Sequence, residues 1–189
     1  GDLIRVFDGA TLLGETAVKA DGSWSLTPTT TLTEGVHNFT AREVDPAGNV
    51  SVPSNAYGVL IDTIAPARPT IDSVTDDVGA IQGNVPKGGI TDDTVPVIKG
   101  KAEPGATVDV YDGPVLIGTV VADPNGDWTL TPASPLLNGP RELTAVATDP
   151  AGNPSAPSDP YAFTVDANGP VAPAITRIDD DAGAVQGPI

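Results

Sequence analysis

The chain repeats itself at a fixed offset. Trp24-Ser25-Leu26-Thr27-Pro28 returns as Trp128-Thr129-Leu130-Thr131-Pro132, and Asp45-Pro46-Ala47-Gly48-Asn49 returns as Asp149-Pro150-Ala151-Gly152-Asn153. Asp76-Asp77-Val78-Gly79 returns as Asp180-Asp181-Ala182-Gly183, and all three pairs are 104 residues apart. Residues 1–85 lie on 105–189 without a gap, and 34 of those 85 positions are identical. Two copies that match in this way must fold alike, so the period fixes the unit of structure before any element is assigned.

The phase of the repeat predicts the boundaries. Ile61-Asp62-Thr63-Ile64-Ala65-Pro66-Ala67-Arg68-Pro69 reads as the end of one module and the start of the next, with prolines that extend and stiffen the chain. Residues 1–67 are then a module lacking its N-terminal strands, 68–171 a complete module, and 172–189 the start of a third. A chain cut out of register with its own repeat is expected to be a piece of a longer array.

What can fill such a module follows from composition. Gly and Pro supply 21 and 20 residues, which would break most helices, and no helical periodicity is present. Short alternating runs rich in Val, Ile, Thr and aromatics are present instead. In the complete module they predict strands near 70–75, 95–101, 106–111, 115–122, 127–131, 141–148 and 160–166. About seven strands in about 100 residues is the size and spacing of an immunoglobulin-like sandwich. The fold class expected is therefore all-β, with tandem immunoglobulin-like β-sandwich domains arranged end to end. Val108 and Val110 share a strand face, as do Trp128 and Leu130, and these are core candidates. Phe39 and Leu143 occupy equivalent positions, as do Ala41 and Ala145.

Charge narrows the function. The chain carries −16, with 20 Asp, 5 Glu and 9 Lys plus Arg. Nucleic-acid phosphates need a basic footprint and anionic lipid needs the same, so no nucleic acid and no membrane surface is expected as a partner. No apolar run approaches a membrane span, so direct membrane insertion is not expected either. Cys is absent, which removes disulfide staples, thiolate metal sites and Cys nucleophiles together. The excess of Asp over Glu is informative, because short Asp in Gly- and Pro-rich loops is what turns and calcium sites use.

The ordered set of motifs resembles a known family. Asp76-Asp77-Val78-Gly79, then Thr91-Asp92-Asp93, then Pro104-Gly105 ahead of Val108-Asp109-Val110-Tyr111 is followed by Gly126-Asp127-Trp128, Asp149-Pro150-Ala151-Gly152-Asn153, and an Asp62…Pro66…Pro69 boundary. This order is similar to that of the bacterial Ig-like repeats of giant type I-secreted, RTX and biofilm-associated surface adhesins. The resemblance implies an extracellular, cell-surface extender region that projects a distal adhesive tip, with calcium rigidifying its joints. It also implies that the partners are neighbouring repeats of the same polypeptide, and that the secretion signal lies at a far C-terminus.

Strand direction assigns carboxylates to the ends of the module. Asp76, Asp77, Asp92, Asp93 and Asp166 are expected to converge on the end that faces the next module. Five carboxylates in one loop cluster repel one another unless a cation lies among them. Calcium fits, since it accepts six to eight oxygens from flexible loops, whereas soft metals want Cys or His. Asp180 and Asp181 repeat Asp76 and Asp77 in the third module. At the 62–69 junction the candidates are Asp62 from above and Asp149 or Glu103 from below. Asp45 and Asp149 fit a turn cap or a ligand equally well, and Asp8, Asp21, Asp112 and Asp123 fit caps of their own turns. Asp123-x-Asn125-x-Asp127 has Trp128 where a calcium loop needs Gly, and reads as a hairpin.

No enzyme is expected. The one histidine, His37, aligns with Arg141, has no Ser or Cys beside it in the motif pattern, and reads as a surface strand residue. The alternative is a carbohydrate-binding module of a secreted protein, which would show solvent-facing aromatics; Phe, Trp and Tyr make up 4%. The missing strands of the first module leave edges to cover, and the 174–179 segment of another chain is a candidate for that strand complementation.

Overall fold

The computed structural model describes residues 1–180 and 187–188, with side chains through Ile178. Every regular element among the described residues is a strand. The first module forms β1 (Leu3–Asp8), β2 (Thr11–Ala17), β3 (Gly35–Val44) and β4 (Tyr57–Ile61), in one sheet of order β2-β1-β3-β4.

The second module contains β5 (Thr70–Asp76), β6 (Gly83–Asn84), β7 (Ile90–Thr91), β8 (Val97–Lys101), β9 (Thr107–Asp112), β10 (Val115–Val121), β11 (Asp127–Leu130), β12 (Gly139–Thr148) and β13 (Tyr161–Val165). It closes as two sheets, β10-β9-β12-β13-β7 and β11-β8-β5-β6. All seven strands read from the sequence are present. The two-residue strands β6 and β7 were not legible, because they lie in a segment punctuated by Gly83, Pro86, Gly88 and Gly89.

Period-two alternation builds the core between the sheets. Val108 and Val110 of β9, Leu143, Ala145 and Ala147 of β12, and Val165 of β13 are wholly buried. They face Val74, Ile98 and Trp128 of the opposite sheet. Trp128 lies against Gly100, where any Cβ would run into its ring and into the Thr70 carbonyl. Across the bulge between β9 and β10, Gly118 similarly leaves room for Leu130.

One edge of β12 is finished by an irregular segment. Ser155 and Ser158 each donate a backbone N–H to a β12 carbonyl, those of Ala147 and Ala145, at 2.8 Å. Their hydroxyls accept the N–H groups of those same alanines at 3.0 Å. The serines do what a paired strand would do, beside prolines that have no N–H to give. Ser51 and Ser54 repeat the arrangement on β3.

The first module has the same sheet in the same register. Val6 pairs Gly14 and Phe7 pairs Leu12, as Val110 pairs Gly118 and Tyr111 pairs Leu116. Among the described residues no second sheet covers its inner face: Trp24 is 42% exposed against 2% for Trp128, and Tyr57 is 71% exposed against 4% for Tyr161. Trp128 is thus the core residue its strand face predicts, whereas its repeat equivalent Trp24 is not buried. Near the C-terminus, β14 (Asp179–Asp180) pairs β15 (Gly187–Pro188), with Asp180 opposite Gly187 as Asp76 is opposite Gly83.

Candidate functional site

Two ends of the second module carry the side chains that the sequence singled out. β5 and β13 run in the same direction. Arg68 and Asp159, just ahead of each strand, form an ion pair at 2.7 Å, and both strands end against Thr91.

Thr91 organises the lower end. It is 3% exposed, and its hydroxyl donates to Asp76 Oδ2 at 2.5 Å while accepting the Asp93 N–H at 3.0 Å. Its carbonyl accepts the Asp166 N–H at 2.8 Å. Asp93 is 1% exposed and takes the Val95 N–H on Oδ1 and the Asp77 N–H on Oδ2, at 2.8 and 3.4 Å. Asp76, 5% exposed, also caps Val78 at 3.0 Å. Asp92 is exposed, with its carboxylate lying against the Cα of Gly79, a glycine held at φ +63°. Asp76, Thr91, Asp92 and Asp166 line a cleft of about 520 Å³ together with Ile81 and Ile90.

The chemistry of this end is one-sided. Asp76 and Asp93 are buried carboxylates whose hydrogen-bond donors are all neutral, and no ion pair reaches any of the five aspartates among the described residues. Buried negative charge without a cation is costly. The donors are all oxygens, which suits a hard cation such as calcium. Among the described residues, however, no three acidic or histidine side chains are arranged to hold one ion. A bound cation would have to recruit carbonyl oxygens or side chains that now point elsewhere. The Asp180 side chain and Asp181 lie outside the described residues.

The upper end meets the first module. Asp149 is 6% exposed, and both of its carboxylate oxygens are taken by Asn153: Oδ1 by the backbone N–H at 2.9 Å and Oδ2 by the side-chain amide at 2.8 Å. That amide, first, and the backbone N–H, second, hold the Asp149 carboxyl below the usual carboxylate range. The same Nδ2 donates to the backbone carbonyl of Asp62 at 3.1 Å. Pro66 of the linker is buried beside this contact in sequence, and Pro69 begins the second module fully buried. Asp62 turns its own carboxylate back onto the Ile64 N–H at 3.1 Å. Asp62 and Asp149 are thus brought together through Asn153, which sequence reasoning had not singled out as a contact. The Glu103 carbonyl closes its own turn with Ala106 at 3.0 Å.

The remaining aspartates divide. Asp21 and Asp123 cap their own hairpins, at Ser23 and at Asn125 and Asp127. Asp8 and Asp112 do not cap their own turns. Each reaches across to β3 or β12, where Asp8 meets His37 and Asp112 pairs with Arg141 at 2.9 Å. His37 is 7% exposed, so it is a buried residue rather than a surface one.

A family model for the bacterial Ig-like domain matches residues 1–63 and again residues 67–167. No curated protein sequence matches the chain. Among solved structures it is similar to fibronectin(III)-like modules of Clostridium thermocellum CbhA, at 19% identity over 86% of this chain and 77% of that one, with a TM-score of 0.46. It is similar to a tetra-tandem repeat in the extending region of a large adhesion protein, at 24% identity, 88% and 42% coverage and a TM-score of 0.39. A 1.5-MDa bacterial ice-binding adhesin is similar at 16% identity, 87% and 53% coverage and a TM-score of 0.40. This chain spans 42% and 53% of those two adhesin structures.

Proposed function

This chain belongs to the bacterial Ig-like domain family, and from that premise we propose that it is a structural extender. In this reading it is a segment of a surface adhesin outside the cell, setting the reach and stiffness of a longer array and catalysing nothing. The observation that carries the reading is the joint. Two repeats of one unit follow each other through a linker whose Pro66 is buried and whose Asp62 carbonyl is held by Asn153 of the next module. Unrelated neighbouring domains usually meet through small polar interfaces and move freely.

Calcium is the second part of the proposal. Asp76, Asp77, Asp92, Asp93 and Asp166 would hold the ion at the lower end, where it would neutralise the two buried carboxylates and stiffen the passage to the next module. Asp62, Asp180 and Asp181 are the repeat equivalents at neighbouring joints. Extracellular calcium modules bind at roughly 10⁻⁴ to 10⁻³ M, which at about millimolar calcium adds about 0.4–1.4 kcal/mol per site. Carbohydrate binding finds little support, because the exposed Trp24 and Tyr57 occupy positions that are core in the second module.

The test is thermal melting together with small-angle scattering, in calcium and then in chelator. An extender with calcium at its joints loses melting temperature and particle length together when the ion is removed. Unchanged values for both would remove calcium from the proposal, and glycan binding at micromolar strength would replace the extender reading.

A further inference from the structure

We propose that the Asp-Pro-Ala-Gly-Asn loop is a docking socket, in which an aspartate clamps an asparagine amide so that its second N–H captures the terminal carbonyl of the preceding module. This rests on the extender reading and names the contact through which one module grips another.

The clamp is complete within the loop. Gly152, at φ +96°, turns the chain so that the Asn153 backbone and side chain both return to Asp149. The turn is closed by Gly152 N–H to the Asp149 carbonyl at 3.1 Å and by Asp149 N–H to the Asn153 carbonyl at 3.2 Å. A carboxamide nitrogen carries two hydrogens. One is committed to Asp149 Oδ2, which fixes the amide plane, and the other is left to reach Asp62 O.

The first module contains the same loop without a neighbour against it. Asn49 bonds Asp45 through its backbone N–H at 2.8 Å and its amide at 2.7 Å, with Gly48 at φ +90°. The clamp therefore forms before a partner arrives, and capture does not have to order it. Asp149 is buried at the joint, whereas Asp45 is half-buried and Asn49 exposed. Asn49 presents its second N–H to a preceding copy of the module.

The captured group also recurs. Asp62 and Asp166 each fold their carboxylate onto the N–H two residues on, at 3.1 and 3.3 Å, so the chain leaves both modules through the same turn. A backbone carbonyl carries no sequence information, so selection of the right partner comes from the short tether that holds the next module close. Asp149 acts here as a positioning residue and does not need a metal.

Two variants of the whole chain separate the joint from the loop. Asn49→Ala and Asn153→Ala each remove one clamp, but only Asn153→Ala removes a contact between modules. The chain has no Cys, so spin labels can be placed at Thr11→Cys and Val115→Cys, exposed and repeat-equivalent positions. Distances between them are measured by pulsed electron resonance in chelator, which keeps the result independent of the calcium proposal. Asn153→Ala should broaden the distance distribution, reflecting about a fivefold loss in the ratio of docked to undocked joints. Asn49→Ala should leave it as narrow as in the parent chain. Asn153→Asp, which keeps the size but turns a donor toward the carbonyl into an acceptor, should broaden it as well. A narrow distribution in both Asn153 variants, or equal broadening by Asn49→Ala, overturns the socket.

Discussion

His37 Nδ1 lies 2.5 Å from Asp8 Oδ2, while its Nε2 faces the Thr33 carbonyl at 2.8 Å. Both ring nitrogens therefore meet acceptors, and only the imidazolium has two protons to donate. The Asp8 carboxylate, first, and the Thr33 carbonyl raise the His37 pKa above the ordinary value, and the bond from His37 lowers that of Asp8. In the second module Arg141, which is always charged, meets Asp112 in the same place.

The two modules should consequently differ in their response to alkali. The stability His37 contributes is complete below the ordinary histidine value near 6.5 and is lost as pH rises through its raised folded value. Asp8 acts oppositely, contributing above 3.8 and losing its contribution as pH falls through its lowered folded value. As pH rises from the ordinary histidine value through the raised folded value of His37, the first module should lose melting temperature while the second holds. His37→Arg should abolish that slope, and an unaltered slope in this variant would show that His37 is not its source.

Gly100→Ala should damage the core although it adds one methyl. The new Cβ would meet the Thr70 carbonyl and the Trp128 ring, neither of which can retreat from a fully packed sheet. Overpacking of this kind costs about 1–3 kcal/mol, while Trp128→Ala opens a cavity and costs about 3–5 kcal/mol. Denaturant midpoints measure both. Trp24→Ala, at an exposed ring, should cost far less than Trp128→Ala.

Much of this fold was legible from periodicity, and the reasons for the gaps are physical. Strands such as β9 announce themselves by alternation, because Val108 and Val110 must share a buried face. His37 carried the same signal, since it alternates with Phe39 and Ala41, yet its polarity masked it. Strand direction assigned Asp76, Asp92, Asp93 and Asp166 to one end of the module, and there they surround Thr91 and its cleft without forming a three-carboxylate cluster among the described residues. Thr91 and Asn153, which arrange them and join the modules, stand in motifs visible in the sequence, but their roles were not legible because hydrogen bonds made within loops leave no strand or helix alternation to read. What did recur was Ser51-x-x-Ser54 as Ser155-x-x-Ser158, a repeat that marks the finished edge of β3 and β12.

Ser158→Ala should expose how much that edge contributes. It strands the buried Ala145 N–H, at a cost of about 1–3 kcal/mol, and hydrogen exchange at that amide should accelerate by the corresponding factor. Ser54→Ala, whose target Ala41 is only half-buried, should cost less. Equal losses at the two sites would argue that burial does not control the effect.

Calcium dependence, if it arises at the lower end, should follow individual carboxylates. Asp76→Asn and Asp93→Asn should each abolish the gain of about 0.4–1.4 kcal/mol expected at about millimolar calcium. Asp149→Asn should keep that gain while lowering stability in chelator, because both of its oxygens are already engaged by Asn153. Calorimetric melts with and without the ion measure all three, and a full calcium response in Asp76→Asn and Asp93→Asn would move the ion elsewhere.

The parallel pairing of β7 with β13 has a mechanical consequence. Gly88 N–H to Ala162 O, Thr164 N–H to Gly89 O and Asp166 N–H to Thr91 O tie the two segments at 2.7, 2.9 and 2.8 Å. Pulling such a module apart at its two ends would draw β13 downward by its C-terminal end, while β5 and the segment behind it would hold β7 in place. The three bonds lie across that load and share it, so they must fail together rather than open one after another like a zipper. In the proposed extender, a module tied in this way would resist lengthening under tension.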